Sequence, residues 1–133
     1  KSIPSAVANF RFYRTERIKS SSTIQEILEE RRSCSAFPLK CYYRFVPKSE
    51  ASVQVAFVVS KRRFKHAVDR NRVKRLMRES FRLQKHLMPA DEQCTLQMCW
   101  IYVGVELLDY QAVYKAGGRV FQQLSQQYPR VQS

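Results

Sequence analysis

The chain has 133 residues, of which 44% are hydrophobic, and this size favours a single domain with a real core. Its 24 Lys and Arg residues against 11 acids give a net charge of +13, which favours a polyanionic partner. No apolar run approaches the roughly 18 residues of a membrane span, and the opening residues lack the apolar segment of a secretory signal. These patterns exclude a membrane protein and predict a cytoplasmic one.

The predicted elements begin after residues 1–15, which show no periodicity and are predicted to form a flexible basic N-terminal arm. A capping pair, Ser22 with Gln25, then precedes apolar residues at helical spacing and predicts a helix over 22–32. The apolar residues are Ile24, Ile27 and Leu28.

Two strands are predicted next, over 39–46 and 53–60, because apolar and polar side chains alternate in both. In the first strand one face is apolar, and the other face carries Lys40, Tyr42 and Arg44. These three residues are either ordinary surface residues of a strand or a row that can contact an extended polyanion.

Residues 61–85 hold eleven of the 24 Lys and Arg residues and only two acids. At about 100° per residue, a helix through this segment has an apolar stripe opposite a row of cations. The apolar stripe contains Val73, Leu76, Met77, Ser80, Leu83, Gln84 and Leu87. The opposite row contains Asn71, Lys74, Arg75, Arg78, Arg82 and Lys85. The helix is predicted to begin near 67–70, with Asp69 as cap or first-turn acid, and to stop before Pro89.

The cation row suits a phosphate backbone, because Arg offers a fork of donors and Lys a point charge. Such binding would depend strongly on salt through counterion release. The alternative is a solvated helix surface that only keeps the protein in solution.

A last strand is predicted over 95–103, followed by a helix capped by Asp109. Gly117 and Gly118 weaken that helix by about 1 kcal/mol each, which predicts a bend or break. From the residues alone, the order of elements is therefore α-β-β-α-β-α.

Cysteine spacing and the scattered acids argue against chemistry by the protein itself. The four cysteines, at 34, 41, 94 and 99, lack C-x₂-C spacing, so buried reduced thiols are favoured over a zinc site. The acids form no D-x-D or H-x-E cluster of the kind a protein nuclease uses.

The run SKRRFKHAVDRNRVKRLMRESFR, at 60–82, resembles the signature of the bacterial ribonuclease P protein component. The resemblance rests on Arg70, Asn71 and Arg72, followed by the pair Lys74 and Arg75. The strand VAFVVSKR at 55–62 and the residues ERIK at 16–19 also match the family pattern.

The resemblance implies an α+β fold: a single-domain α-β sandwich of αβββαβα order, ribosomal protein S5 domain 2-like. That domain would span 16–128, with a C-terminal tail at 129–133. In this family the protein helps a catalytic RNA to remove the 5′ leader of precursor tRNA endonucleolytically and so generate mature 5′ ends. The resemblance therefore implies RNA-borne chemistry, with no catalytic residue in the protein. It also implies Mg²⁺ held mainly by the RNA and none bound by the protein alone.

The implied partners are the ribonuclease P catalytic RNA and precursor tRNA, with no membrane and no obligate protein partner. The surface assigned to the catalytic RNA comprises Arg62, Arg63, Lys65, His66, Arg70, Asn71, Arg72, Lys74, Arg75, Arg78 and Arg82. The cleft assigned to the precursor leader, between the first helix and the sheet, comprises Lys19, Ile24, Leu28, Lys40, Tyr42 and Arg44. Many family members carry aromatic residues where Ile24 and Leu28 stand.

Two other functions remain open. A ribosomal or other structural RNA-binding protein could use the same basic helix without assisting cleavage. A DNA-binding regulator could read a major groove with Asn71, Arg75 and Arg78, although a strand rather than a second helix precedes the basic helix.

Overall fold

The computed structural model describes residues 12–88 and 93–127. Most of the predicted arm, the C-terminal tail and the predicted helix stop at Pro89 lie outside the described residues. The four described residues of the arm, 12–15, lie against the domain: Phe12 meets Phe81 edge-on with ring centres 5.5 Å apart.

The elements of the described part follow the αβββαβα order of the family, with two short 3₁₀ turns at Arg14–Glu16 and Lys85–Leu87. They are α1 (Ser21–Glu29), β1 (Ser33–Ala36), β2 (Leu39–Pro47), β3 (Val53–Val59), α2 (Ala67–Gln84), β4 (Cys94–Tyr102) and α3 (Tyr110–Ser125). Strand β1 has no counterpart in the periodicity of the sequence, since SCSA is short and mostly polar.

The four strands form one sheet in the order β1-β2-β4-β3. Strands β3 and β4 are parallel and are connected through α2, whereas the other neighbours are antiparallel. Helices α2 and α3 pack together on one face of the sheet, and α1 contacts β2 and β4. The side chains of Lys40, Tyr42 and Arg44 lie on the α1 face, because those of Leu39 and Cys41 enter the core.

An aromatic cluster fills the space between the sheet and the two long helices. Phe81 of α2 contacts Trp100 of β4 at 6.0 Å and Phe121 of α3 at 5.9 Å between ring centres. All three are buried, and each contributes about 1.5–3 kcal/mol through the area removed from water. This cluster fixes which side of α2 faces inward.

Helix α1 begins earlier and ends sooner than the predicted 22–32. Ser20, not Ser22, is the N-cap and accepts a hydrogen bond from the Thr23 amide at 3.3 Å. The Ser22 hydroxyl instead lies 2.8 Å from that of Ser20. The helix ends before Arg31, whose φ of 60° is left-handed and incompatible with a further turn.

Helix α3 agrees with its predicted cap and is not broken at the two glycines. The Asp109 carboxylate accepts a hydrogen bond from the Ala112 amide at 3.0 Å, as expected of an N-cap. The helix continues without interruption through Gly117 and Gly118.

All four cysteines are free, and Cys41 and Cys99 are buried as predicted. Burial raises the pKa of the Cys99 thiol to about 11. The thiol is therefore protonated at neutral pH and packs as a small apolar group.

Candidate nucleic-acid interface

Helix α2 presents one side to the core and the other to solvent, as its periodicity predicts. Val73, Met77 and Phe81 are buried on the inner side. The two buried polar residues of the stripe make hydrogen bonds to α3. Ser80 donates to the Val113 carbonyl at 3.2 Å, and Gln84 donates to the Tyr114 carbonyl at 2.9 Å. Phe81, which is not among the residues of the predicted stripe, also lies in the core.

The outer side of α2 carries cations that are not engaged by the fold. Asn71, Arg72 and Arg75 are exposed, and Lys74 and Arg78 are half-buried. Within 12–88 and 93–127, the side chains of Arg72, Lys74 and Arg75 have no hydrogen bond or ion pair. Their donors therefore remain available to a ligand.

The segment that leads into α2, residues 60–66, is held partly by two of the predicted RNA-binding residues. Arg70 donates to the carbonyls of Phe64 and Lys65 at 2.8 and 2.9 Å. Arg63 donates to the Val103 carbonyl at 2.9 Å. Both guanidiniums therefore support the fold, and their contact with RNA stays a prediction. Arg62, Lys65 and His66 are exposed in the same segment.

Arg82, at the far end of the row, pairs with Glu79 one turn before it, with a nitrogen–oxygen distance of 2.6 Å. The hydrogen bond from Arg82 lowers the pKa of the Glu79 carboxyl. The pair is only partly buried, so its contribution to stability is small.

The position predicted for Lys85, in the exposed cation row, is wrong. Its side chain is buried, and its ammonium lies 2.7 and 2.8 Å from the two carboxylate oxygens of Glu16 and 4.8 Å from the Tyr13 ring centre. Helix α2 ends at Gln84, and the following 3₁₀ turn rotates each residue by about 120°, which moves Lys85 off the row. No sequence spacing signals this pairing with a residue near the N-terminus.

On the α1 face of the sheet, the predicted row along β2 is present. Lys40 and Tyr42 are half-buried, and the Lys40 ammonium lies 5.1 Å from the Tyr42 ring centre. Ile24 and Leu28, both half-buried, lie on the flank of α1 opposite Glu26, because they stand about 160° from it around the helix.

Arg44 is more constrained than the rest of that row. Its guanidinium donates to Glu26 of α1 at 3.0 Å and to Gln97 of β4 at 2.8 Å, so it joins the helix to the sheet. Gln97 in turn donates to Gln54 of β3 at 2.9 Å. This polar strip across three strands depends on strand register and was not found from the sequence.

Lys19 lies at the other end of the strip, exposed at the start of α1. It lines a groove of about 200 Å³ with Gln54 and Gln97. The predicted cleft residues therefore form two groups: Lys19 and Arg44 beside the strip, and Lys40 and Tyr42 farther along β2.

Arg17 lies next to the basic helix α2, although the sequence did not identify it as a site residue. Together with Lys74 and Arg78 it lines a groove of about 270 Å³ at the edge of β3. The groove forms because the Ile18 amide donates to the Val55 carbonyl at 3.0 Å and holds this segment against the strand.

The described residues provide neither a cluster of metal-binding side chains nor a membrane-spanning helix. No group of three or more His, Cys, Asp and Glu side chains in this part of the chain could hold a metal ion. None of its helices combines the length and the apolar character needed to cross a membrane.

The chain is similar to known proteins over most of its length. The family model described as Ribonuclease P matches residues 12–125. A ribonuclease P protein component from Porphyromonas gingivalis is 34% identical over 113 residues, which cover 82% of each chain.

Solved structures show the same fold. The Staphylococcus aureus RNase P protein aligns over 82% of this chain and 94% of its own, with a TM-score of 0.65 and 21% identity. The Thermotoga maritima RNase P protein aligns over 81% and 96%, with a TM-score of 0.66 and 20% identity.

Proposed function

Since the chain belongs to the ribonuclease P protein family, we propose that it is the protein subunit of a bacterial ribonuclease P. In this role it binds the catalytic RNA and the 5′ leader of precursor tRNA and assists endonucleolytic removal of the leader. The observation that carries the proposal is the set of unengaged cations on α2, centred on Arg72, Lys74 and Arg75, within the sequence that resembles the family signature.

The catalytic RNA docks on the outer side of α2 and on the exposed residues before it. Arg and Lys neutralise phosphates there and release counterions. Asn71 supplies a donor and an acceptor beside them. The opposite side of the helix is buried in the core, so RNA reaches this surface without disturbing the fold.

The chemistry belongs to the RNA subunit in this proposal. The family resemblance supports this assignment, and RNA phosphates are suitable oxygen ligands for Mg²⁺. The Mg²⁺ of the holoenzyme is therefore assigned mainly to the RNA. The protein is assigned to the cytoplasm and needs no obligate protein partner.

The precursor leader runs over the α1 face of the sheet. Tyr42 offers a ring for stacking, Lys40 offers charge, and Ile24 and Leu28 offer apolar contact where many relatives carry aromatic rings. Lys19 contributes from the groove beside Gln54, and Arg44 from the polar strip.

One experiment tests the proposal against its rivals. The protein is added to a bacterial ribonuclease P RNA at low Mg²⁺, and cleavage of precursor tRNA at the mature 5′ end is measured. Stimulation is expected from the RNA and protein together, and no cleavage from protein alone. Tight binding without stimulation would favour a structural RNA-binding protein, and preference for duplex DNA would favour a regulator.

Replacing Tyr42 by Ala should weaken precursor binding by the assembled holoenzyme by about 1–3 kcal/mol, the range for losing one base stack. Affinity for mature tRNA should not change, because mature tRNA has no leader. The measurement is the ratio of the two dissociation constants, which is insensitive to a general loss of stability.

Tyr42→Phe is the matched control, because it keeps the ring beside Lys40 and removes only the hydroxyl. It should retain wild-type affinity for both substrates. Equal losses for precursor and mature tRNA in Tyr42→Ala would show that Tyr42 only packs against the sheet.

A further inference from the structure

Phe37 is the most exposed aromatic residue of the described chain, with 67% of its surface accessible. It stands in the turn between β1 and β2, where the following residue, Pro38, is buried. Exposing a ring of this size loses the stabilisation that its burial would give. Unlike Tyr or Trp, Phe has no polar atom that could offset this loss by hydrogen bonding to water. Neither proposed RNA surface includes it.

The loop after β4 contacts the turn that carries Phe37. The Val103 amide donates to the Pro38 carbonyl at 2.8 Å. The next residue, Gly104, approaches so closely that an added Cβ would lie 3.3 Å from the Pro38 Cβ. Val105, which follows, is 68% exposed, so each of the two contacting segments carries an exposed apolar side chain; Phe37 and Val105 are together called the apolar patch.

The loop beside the patch is also fixed in place. The Tyr102 hydroxyl donates to the Glu106 carbonyl at 2.8 Å and accepts from the Leu108 amide at 3.0 Å. A rigid platform loses little conformational entropy when a ligand binds.

Cations border the patch on the side of the basic segment. Arg63 donates to the carbonyl of Val103, the same residue whose amide donates to Pro38, so the basic segment and the turn both contact this residue. Lys61 and Arg62 are exposed beside it. The loop between β4 and α3 contributes two exposed acids, Glu106 and Asp109, against the three cations of 61–63, so positive charge predominates.

We propose that Phe37 is a stacking platform for one unpaired base of the ribonuclease P RNA, with an adjoining phosphate held by the cations of 61–63. An aromatic face next to cations matches the two parts of a nucleotide, a planar base and an anionic phosphate. The patch is small and charged at its border, which fits a base better than a protein partner with a large apolar surface. This inference rests on the proposed function, because that function supplies the RNA.

The affinity test compares variants of Phe37 for binding to the ribonuclease P RNA of the same genome, at one salt concentration. Phe37→Ala should weaken binding on the order of tenfold, as expected for one lost base stack. Phe37→Tyr should bind within about twofold of wild type, because the ring face remains. Leu87→Ala is the matched control: Leu87 is also an exposed apolar residue, 52% accessible, but lies on the α3 side of the molecule. It should not change the affinity.

A fluorescence test locates the contact. The single Trp of the chain, Trp100, is fully buried, so it responds little to a surface ligand. Phe37→Trp adds an exposed indole, whose emission should be quenched when the RNA is added. Leu87→Trp should keep its emission under the same conditions.

The outcomes separate this inference from the proposed function. If the wild-type protein binds the RNA and stimulates cleavage but Phe37→Ala binds equally well, the stacking platform is wrong and the function stands. If Phe37→Ala abolishes self-association without changing RNA affinity, the patch is a protein interface and the inference fails. If the wild-type protein does not bind the RNA, both fail.

Discussion

Gly117→Leu should lower the free energy of unfolding by about 3 kcal/mol or more, because the new side chain has no space between α3 and its neighbours. A Cβ at this position would overlap the Ser80 hydroxyl and would lie 3.2 Å from Trp100 and 3.3 Å from the Gln84 amide nitrogen. Ser80 cannot easily move, since it is fully buried and bonded to α3. Chemical denaturation followed by circular dichroism measures the loss.

Gly118→Leu is the matched control one residue along the same helix. Its Cβ would meet only the flexible side chain of Gln84, whose oxygen would lie 2.8 Å away, and Gly118 borders an open groove lined by Leu87 and Phe121. The gain in helix propensity, about 1 kcal/mol, offsets the shift of Gln84. Equal destabilisation by the two variants would mean that the close approach of Gly117 to Ser80 and Trp100 does not determine the cost.

Gly117 also shows why α3 is not broken at its two glycines. Helix propensity is local, and on that scale two adjacent glycines weaken a helix. The helix instead continues because Gly117 allows it to approach Ser80 and Trp100, which are distant in sequence. A contact of this kind depends on how the helices cross, and periodicity contains no information about the crossing.

Elements with strong periodicity were predicted from the sequence, and weakly patterned ones were not. Helix α2 and strand β2 each carry a continuous apolar face, and both begin where they were predicted, although α2 ends at Gln84 rather than just before Pro89. Strand β1 has little apolar character and exists because its backbone pairs with β2, with Cys34 opposite Cys41. Backbone pairing leaves almost no trace in residue type, so only the family resemblance indicated a third early strand.

The candidate site was predicted from residue type. Residue type identifies the cations but does not show which of them bond within the protein and which are available to a ligand. Arg70 and Lys85 belong to the same basic segment as Arg75. However, Arg70 donates hydrogen bonds to two loop carbonyls, and Lys85 is buried against Glu16. Their partners come from turns whose positions the sequence did not indicate. Only the structure separates the cations that stabilise the fold from those left for a ligand.

Replacing Arg72, Lys74 and Arg75 together by Ala should remove about two to three units from the log–log salt dependence of binding to the catalytic RNA, close to one unit per phosphate contact. At a fixed moderate salt concentration the affinity should fall on the order of a hundredfold or more. The free energy of unfolding should hardly change, since these side chains have no partner among the described residues. Binding titrations over a series of salt concentrations measure the slope.

Arg70→Ala is the control, because it removes a cation of the same segment that the fold already uses. It loses two hydrogen bonds from a charged donor to loop carbonyls, which should lower the free energy of unfolding by about 1–3 kcal/mol. The triple variant should therefore lose RNA affinity without a change in the free energy of unfolding. In Arg70→Ala the main effect should be a lower free energy of unfolding. An unchanged salt slope in the triple variant, with native circular dichroism, would show that the outer side of α2 is a solvated surface. The RNA would then have to bind elsewhere on the protein.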